Sequence, residues 1–186
     1  MAKPDILVPL AQGCEELEAV TITDLLTRAG FNVVTAGLDD RPVKASRGTV
    51  LIPDTTMQAI MSKSFDLMVL PGGLPGADHL RENELVQKKL KQMVAEDKYS
   101  AAICAAPMAL AAAGVLENKK ATSYPGSLDK YKVAGMEYVD DPVVIDGKVV
   151  TSRGPGTAMD FALTLIELLA GKEQRDAVEG PLLRPN

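Results

Sequence analysis

Two cysteines, a single histidine and a carboxylate set among apolar residues are the groups in this sequence best placed for covalent or proton-transfer chemistry. Cys104 comes first. The segment Ala101-Ala102-Ile103-Cys104-Ala105-Ala106-Pro107 reads as a buried strand ending at Ile103, with an alanine-rich helix starting just beyond the cysteine. A residue at such a strand-to-helix turn sits on a sharp bend with its side chain exposed at the top of the sheet. The small neighbours let the chain bend tightly and let a ligand approach. A helix start carries partial positive charge, which predicts a lowered thiol pKa and a thiolate nucleophile. The Ala105 N–H points into the same space. With the Gly73 N–H from a neighbouring strand-end loop it would form an oxyanion hole. The competing reading is a small buried hydrophobe, the usual state of a free cysteine.

The carboxylate lies on the helix expected over Glu15–Ala29. At about 100° per residue, Leu25, Glu18, Ala29, Ile22, Glu15, Leu26 and Ala19 share one arc, and all but the two glutamates are apolar. Glu15 and Glu16 at a helix start suit the helix dipole. Glu18, a turn further in and inside the apolar stripe, is not explained that way. Burial there would raise its pKa, so that the neutral acid could donate a hydrogen bond to a thiolate or pass a proton. The opposite face carries Leu17, Val20, Asp24 and Arg28, a pattern that suits the surface of a symmetric dimer.

The elements that must position these groups alternate along the chain. Apolar, β-branched runs recur at Ile6–Leu10, Phe31–Ala36, Val50–Ile52, Leu67–Leu70, Ala101–Ile103, Val143–Ile145 and Val149–Thr151. Between many of them lie helical patterns at Glu15–Ala29, Asn83–Glu96, Pro107–Ala113 and Thr157–Ala170, three of them stopped by glycine. This alternation predicts a single α/β domain over residues 1–186, with a mostly parallel sheet covered by helices on both faces. Asp146-Gly147 reads as a tight hairpin at an edge, and the tail from Glu179 to Asn186 as a surface segment. Sites in such sheets form beyond the carboxyl ends of the strands. That directs attention to residues 11–18, 71–76, 104–107 and 152–157.

Composition excludes several functions. The 186 residues carry a net charge of −5, with no Trp, four Tyr and three Phe. Neither a basic patch nor a set of stacking aromatics for nucleic acid is present. No apolar run approaches the roughly 18 residues of a membrane span, and the first residues lack the pattern of a signal peptide. With only two cysteines, far apart, a reducing cytoplasm is expected.

Taken together, Gly13-Cys14-Glu15-Glu16-Leu17-Glu18, Leu70-Pro71-Gly72-Gly73, the Cys104 segment and Thr151-Ser152-Arg153-Gly154-Pro155-Gly156-Thr157 resemble the ThiJ/PfpI superfamily, in order and over nearly the whole chain. The match is nearest to the branch of the parkinsonism-associated deglycase and YajL. The resemblance implies a flavodoxin-like fold, a homodimer, no metal and no cofactor. It implies Cys104 as nucleophile and peroxide-sensitive thiol, Glu18 as its protonated partner, and Gly73 and Ala105 as the oxyanion hole. Arg47 and Arg28 match arginines near the pocket and dimer interface, and Gly154 and Pro155 match a loop that reaches the partner's site. Two departures stand out. Tyr124, in Thr122-Ser123-Tyr124-Pro125, occupies the place of a family histidine. Ala105 replaces the histidine that follows the cysteine in the peptidase branch. The only histidine, His79, reads as a surface residue, and Cys14 as a free thiol. The expected activity is cofactor-free conversion of methylglyoxal or glyoxal, or of their early adducts on protein or nucleotide. A peroxide sensor or chaperone using the same cysteine is the alternative. A peptidase is disfavoured, and no motif supports thiazole biosynthesis.

Overall fold

The computed structural model describes residues 3–184. Its elements in chain order are β1 (Asp5–Leu10), α1 (Glu16–Arg28), β2 (Asn32–Gly37), β3 (Val43–Lys44), β4 (Val50–Leu51), β5 (Thr55–Thr56), α2 (Met57–Ile60), β6 (Leu67–Leu70), α3 (Gly76–Glu82), α4 (Glu84–Ala95), β7 (Tyr99–Ile103), α5 (Pro107–Ala112), β8 (Lys120–Ala121), β9 (Glu137–Tyr138), β10 (Val143–Asp146), β11 (Val149–Ser152), α6 (Ala158–Ala170) and α7 (Lys172–Glu179). Seven strands form the central sheet in the order β10-β11-β7-β6-β1-β2-β5. Every pairing is parallel except β10 with β11, which forms the expected edge hairpin through Asp146-Gly147.

Side chains alternate across the pleat, so each strand feeds two cores. Ile6, Val8, Leu67, Val69, Ala101 and Ile103 pack beneath α1 and α6. Leu7, Met68, Leu70 and Ala102 pack against α2 to α5. Burial on both faces explains why these strands are continuous apolar runs. Helix ends follow local chemistry. Asn83 caps α4 by accepting from the Leu85 and Val86 N–H groups at 3.0 and 3.1 Å, and Gly30 beyond α1 takes the left-handed conformation (φ +81°) that favours glycine.

Beside the short elements α2, α3, β3, β5, β8 and β9, which the sequence pattern does not mark, two segments depart from expectation. Val50 and Leu51 pair with β3 in a separate antiparallel hairpin and not with the central sheet. Pro53, which has no N–H to donate, follows at once, and Ile52 is left 81% exposed. The edge place in the sheet falls to Thr55-Thr56. Helix α7 went unforeseen because its sequence is almost wholly polar and only Val178 is buried. The tail lies against α6, where Arg184 pairs with Asp160 at 2.7 Å; Pro185 and Asn186 fall outside the described residues. No helix is long and apolar enough to cross a membrane among the described residues.

Candidate active site

Cys104 lies between β7 and α5, half-buried, with a positive φ of 62°. That backbone conformation is uncommon for a residue with a Cβ, and it is held from two sides. The Cys104 N–H donates to the Ser152 carbonyl at 3.0 Å, and its carbonyl accepts from the Tyr124 N–H at 2.8 Å. The strand-to-helix bend is thus pinned to the ends of β11 and β8.

Glu18 comes to the cysteine from the opposite side, on the buried face of α1 with Ala19, Ile22, Leu25 and Leu26. It is fully buried. Its Oε2 accepts from the Gly72 N–H at 2.8 Å. Its Oε1 is buried with no hydrogen-bond partner among the described residues. Burial pushes the carboxyl up to about 7, against the lowering effects of the Gly72 N–H and the Cys104 thiol. A proton on the carboxyl would remove the buried charge that acts on the thiol.

The thiol itself is not lowered, contrary to expectation. Burial and the Glu18 charge push it up to about 12, outweighing the Gly73 and Ala105 N–H groups that act in the other direction. Helix α5 is only six residues long, and its dipole is set against a neighbouring carboxylate. The two acids therefore titrate as a pair: protonating Glu18 removes the charge that opposes the thiolate.

Backbone packing sets the spacing of the pair. A Cβ placed on Gly72 would lie 2.6 Å from the Cys104 Cβ, 2.8 Å from the Ile103 oxygen and 2.9 Å from Glu18 Oε2. Only glycine lets the three segments meet. Gly73 (φ +88°) is equally confined, against the Cys14 carbonyl carbon at 2.7 Å.

A model of the DJ-1/PfpI family matches residues 4–168. The chain belongs to that family. Among DJ-1/PfpI relatives, the chain is similar to Protein DJ-1 homolog B of Arabidopsis thaliana, with 44% identity over 97% of this chain and 42% of that protein. The chain thus spans less than half the length of that relative. It is 38% identical to a Caenorhabditis elegans protein named glutathione-independent glyoxalase DJR-1.2, over 95% of this chain and 94% of that one. The crystal structure of Drosophila melanogaster DJ-1beta superposes with a TM-score of 0.94 at 45% identity, covering all of both chains.

Within this DJ-1/PfpI fold, Cys104, Glu18, Gly73, Ala105 and Tyr124 gather at the carboxyl ends of the strands. Gly154 joins them through the Tyr124 ring, which a Cβ on Gly154 would approach to 3.5 Å. Gly154 is buried, while Pro155 is half-buried and opens the short turn before α6. Tyr124 is 53% exposed. Glu15 caps α1 from a half-buried position and accepts from the Ser46 hydroxyl at 3.0 Å. Arg47 is exposed on the neighbouring loop. Arg28 is not brought to the sulfur: it pairs with Asp24 at 2.6 Å on the outer face of α1, ten residues or about 15 Å of helix beyond Glu18. Leu17 and Val20 share that outer face, about half exposed. His79 is exposed and lines a cavity of about 330 Å³, with Gln12, Asp39 and Arg41, that does not include Cys104. Cys14 is a free, fully buried thiol pushed up to about 11 by burial and the Glu16 charge.

Two residues of the site were missed. Gly72 was visible only as part of a motif. Glu16 was assigned to the helix dipole, yet it accepts from the Arg47 and Thr49 N–H groups and the Ser46 hydroxyl. Despite a burial penalty, its own main-chain N–H and these bonds hold its carboxyl down to about 2. Glu16 thereby fastens the loop that carries Arg47.

Proposed function

We propose that the chain is a cofactor-free cysteine glyoxalase that turns methylglyoxal and glyoxal into 2-hydroxy acids. The observation that carries this reading is the buried Glu18 carboxyl, with one unmatched oxygen, paired with the Cys104 thiol. The Cys104 sulfur adds to the aldehyde carbon, and its proton passes through the Glu18 carboxylate to the former carbonyl oxygen, which gives a hemithioacetal and leaves Glu18 ionised. The Gly73 and Ala105 N–H groups stabilise the negative charge on the former carbonyl oxygen. Glu18 then takes the proton from that carbon and returns it to the adjacent one, while the hydroxyl proton passes to the neighbouring oxygen, leaving a thioester on Cys104 and a hydroxyl next to it. Water cleaves the thioester, releasing lactate from methylglyoxal and restoring the thiol. The sum is methylglyoxal plus water giving lactic acid, with no change in the enzyme. The name borne by the Caenorhabditis elegans relative supports this substrate class.

Early adducts of these aldehydes on amines or thiols present the same carbonyl-derived carbons and extend the substrate range. Leu17, Val20 and Arg28 on the outer face of α1 form the contact surface of a homodimer, with Arg47, Gly154 and Pro155 at its margin. The protein acts in the cytoplasm.

The test is lactate formed from methylglyoxal in amine-free buffer by the intact chain and by Cys104→Ser. The expected result is many lactates per chain, falling by about 10³-fold or more in the variant. Equal rates, or no turnover by either, would remove the glyoxalase reading and leave a peroxide-responsive role for the same cysteine, which is modified once per chain and not cycled.

A further inference from the structure

Strand β11 ends on two consecutive hydroxyls where the rest of the strand is valine. All of Val149-Val150-Thr151-Ser152 is buried. Side chains alternate, so Thr151 shares the face of Val149, toward α2 to α5, and Ser152 the face of Val150, toward α1 and α6. A strand buried on both faces is built from apolar residues without polar atoms to satisfy. Hydroxyls on both faces at its end therefore answer to something other than sheet formation.

Each hydroxyl holds a segment that reaches Cys104. Thr151 Oγ1 accepts from the Thr122 N–H at 2.9 Å. Two residues on, the Tyr124 N–H donates to the Cys104 carbonyl at 2.8 Å. Ser152 Oγ donates to the Pro142 carbonyl and lies beside Thr157 Oγ1, each at 2.7 Å. Thr157 Oγ1 accepts from the Gly154 N–H at 3.2 Å, and Gly154 borders the Tyr124 ring. The protons on the Ser152 side are all placed. Ser152 gives its one proton to Pro142, and Thr157 gives its own to Ser152 Oγ or to the Gly154 carbonyl at 3.0 Å. Between the two side chains, the Ser152 carbonyl accepts from the Cys104 N–H at 3.0 Å. One dipeptide thus stands behind both main-chain bonds that fix the cysteine in its uncommon positive φ.

We propose that Thr151 and Ser152 are positioning residues for Cys104, their hydroxyls holding the Tyr124 and Gly154 segments that keep the cysteine, and the Ala105 N–H that follows it, in place. The expected effect on turnover rests on the glyoxalase reading, whereas the effect on the Cys104 bend does not. The test compares Thr151→Val, which keeps the side-chain shape and removes the acceptor, with Thr151→Ser, which restores it, and with Ser152→Ala as a second break. Amide hydrogen exchange of the ¹⁵N-labelled full chain comes first, because it needs no substrate. In Thr151→Val and Ser152→Ala, exchange at Cys104 and Tyr124 should rise by about tenfold more than at Ile6, Leu7 and Val8 in β1. Thr151→Ser should stay within about threefold of the intact chain at both amides. For methylglyoxal, Thr151→Val should lower kcat by about 10–100-fold with KM within about threefold, and Thr151→Ser should recover kcat. Exchange that rises equally across the sheet, or does not change at Cys104 and Tyr124 in either broken variant, would overturn the assignment. So would a selective rise in exchange with kcat unchanged. If the intact chain forms no lactate, the glyoxalase reading falls, and the exchange measurement alone supports or overturns the placement of Cys104.

Discussion

Two charged side chains are fully buried among the described residues, Glu18 on α1 and Lys89 on α4, and they sit on opposite faces of the sheet. Lys89 is matched. Its ammonium donates to the Met61 carbonyl at 3.3 Å, to the Lys63 carbonyl and to Gln92 Oε1 at 3.2 Å, and lies 5.3 Å from the centre of the Phe65 ring. Each of its three protons has an acceptor, so the charge closes the chain between α2 and β6 and has nothing left to offer. Glu18 has one donor for two oxygens and a thiol beside the carboxyl. Burial costs both groups. What separates a staple from a reagent is whether the fold has used up the hydrogen-bonding capacity of the buried charge.

The sharpest way to break that contrast is to leave Glu18 its shape and remove its titration. Glu18→Gln should lower methylglyoxal turnover by about 100-fold or more, since proton transfer by a positioned carboxyl is worth that much. Alkylation of Cys104 should not fall with it, because the charge that pushes the thiol up is gone. Stability should change in a defined window. The folded chain holds the Glu18 proton up to about pH 7, whereas the ordinary carboxyl value is 4.5. Folding therefore takes up a proton between those values. The intact chain loses stability as pH rises through the window, by up to about 3 kcal/mol, and Glu18 adds no further loss above it. Denaturant titrations of the Gln variant should lack that slope. Parallel pH–stability curves, or turnover and alkylation falling together, would show that Glu18 is no more a reagent than Lys89.

A smaller effect comes from the spacing. Gly72→Ala would force a methyl between the Cys104 Cβ, the Ile103 carbonyl and the Glu18 carboxyl. Two of these three are main-chain or main-chain-adjacent atoms that cannot swing away. The variant should lose about 2–4 kcal/mol, or roughly 5–15 °C in Tm. Its pH–stability slope should weaken as the Gly72 N–H parts from Glu18. An Ala variant that melts with the intact chain would mean that the segments have more room than the contacts describe.

The legible parts of the site were those that depend on local periodicity. Helical spacing alone put Glu18 on a buried stripe, and the run of alanines before Pro107 placed Cys104 at the end of a strand. The same arithmetic on α4 aligns Lys89 with Val86, Leu90 and Met93, all buried. A reading directed at carboxylates and thiols passed over it. Glu16 was out of reach, because its partners lie some thirty residues on, in a loop that folds back only in the tertiary structure. The direction of the Cys104 thiol was misjudged for a related reason. A helix start is visible in sequence, whereas the burial and the carboxylate that outweigh it belong to the assembled fold. Strand β4 shows the limit for short runs, where Val50 and Leu51 pair locally in a hairpin and the sheet edge goes to two threonines.

The gentlest probe of the contrast is Lys89→Met, which keeps the stem of the side chain against its apolar neighbours and removes only the ammonium. Three acceptors lose their donor, but two are carbonyls close to the end of α2, where a water can take the vacated place. A loss of about 1–3 kcal/mol is expected on those grounds, with methylglyoxal turnover within about twofold of the intact chain, since Lys89 lies on the sheet face opposite α1 and Glu18. Urea titration and lactate formation measured on the same preparation separate the two quantities. If turnover falls as steeply in Lys89→Met as in Glu18→Gln while the fold survives, the two faces of the sheet are coupled, and the division between a matched and an unmatched buried charge does not describe this protein.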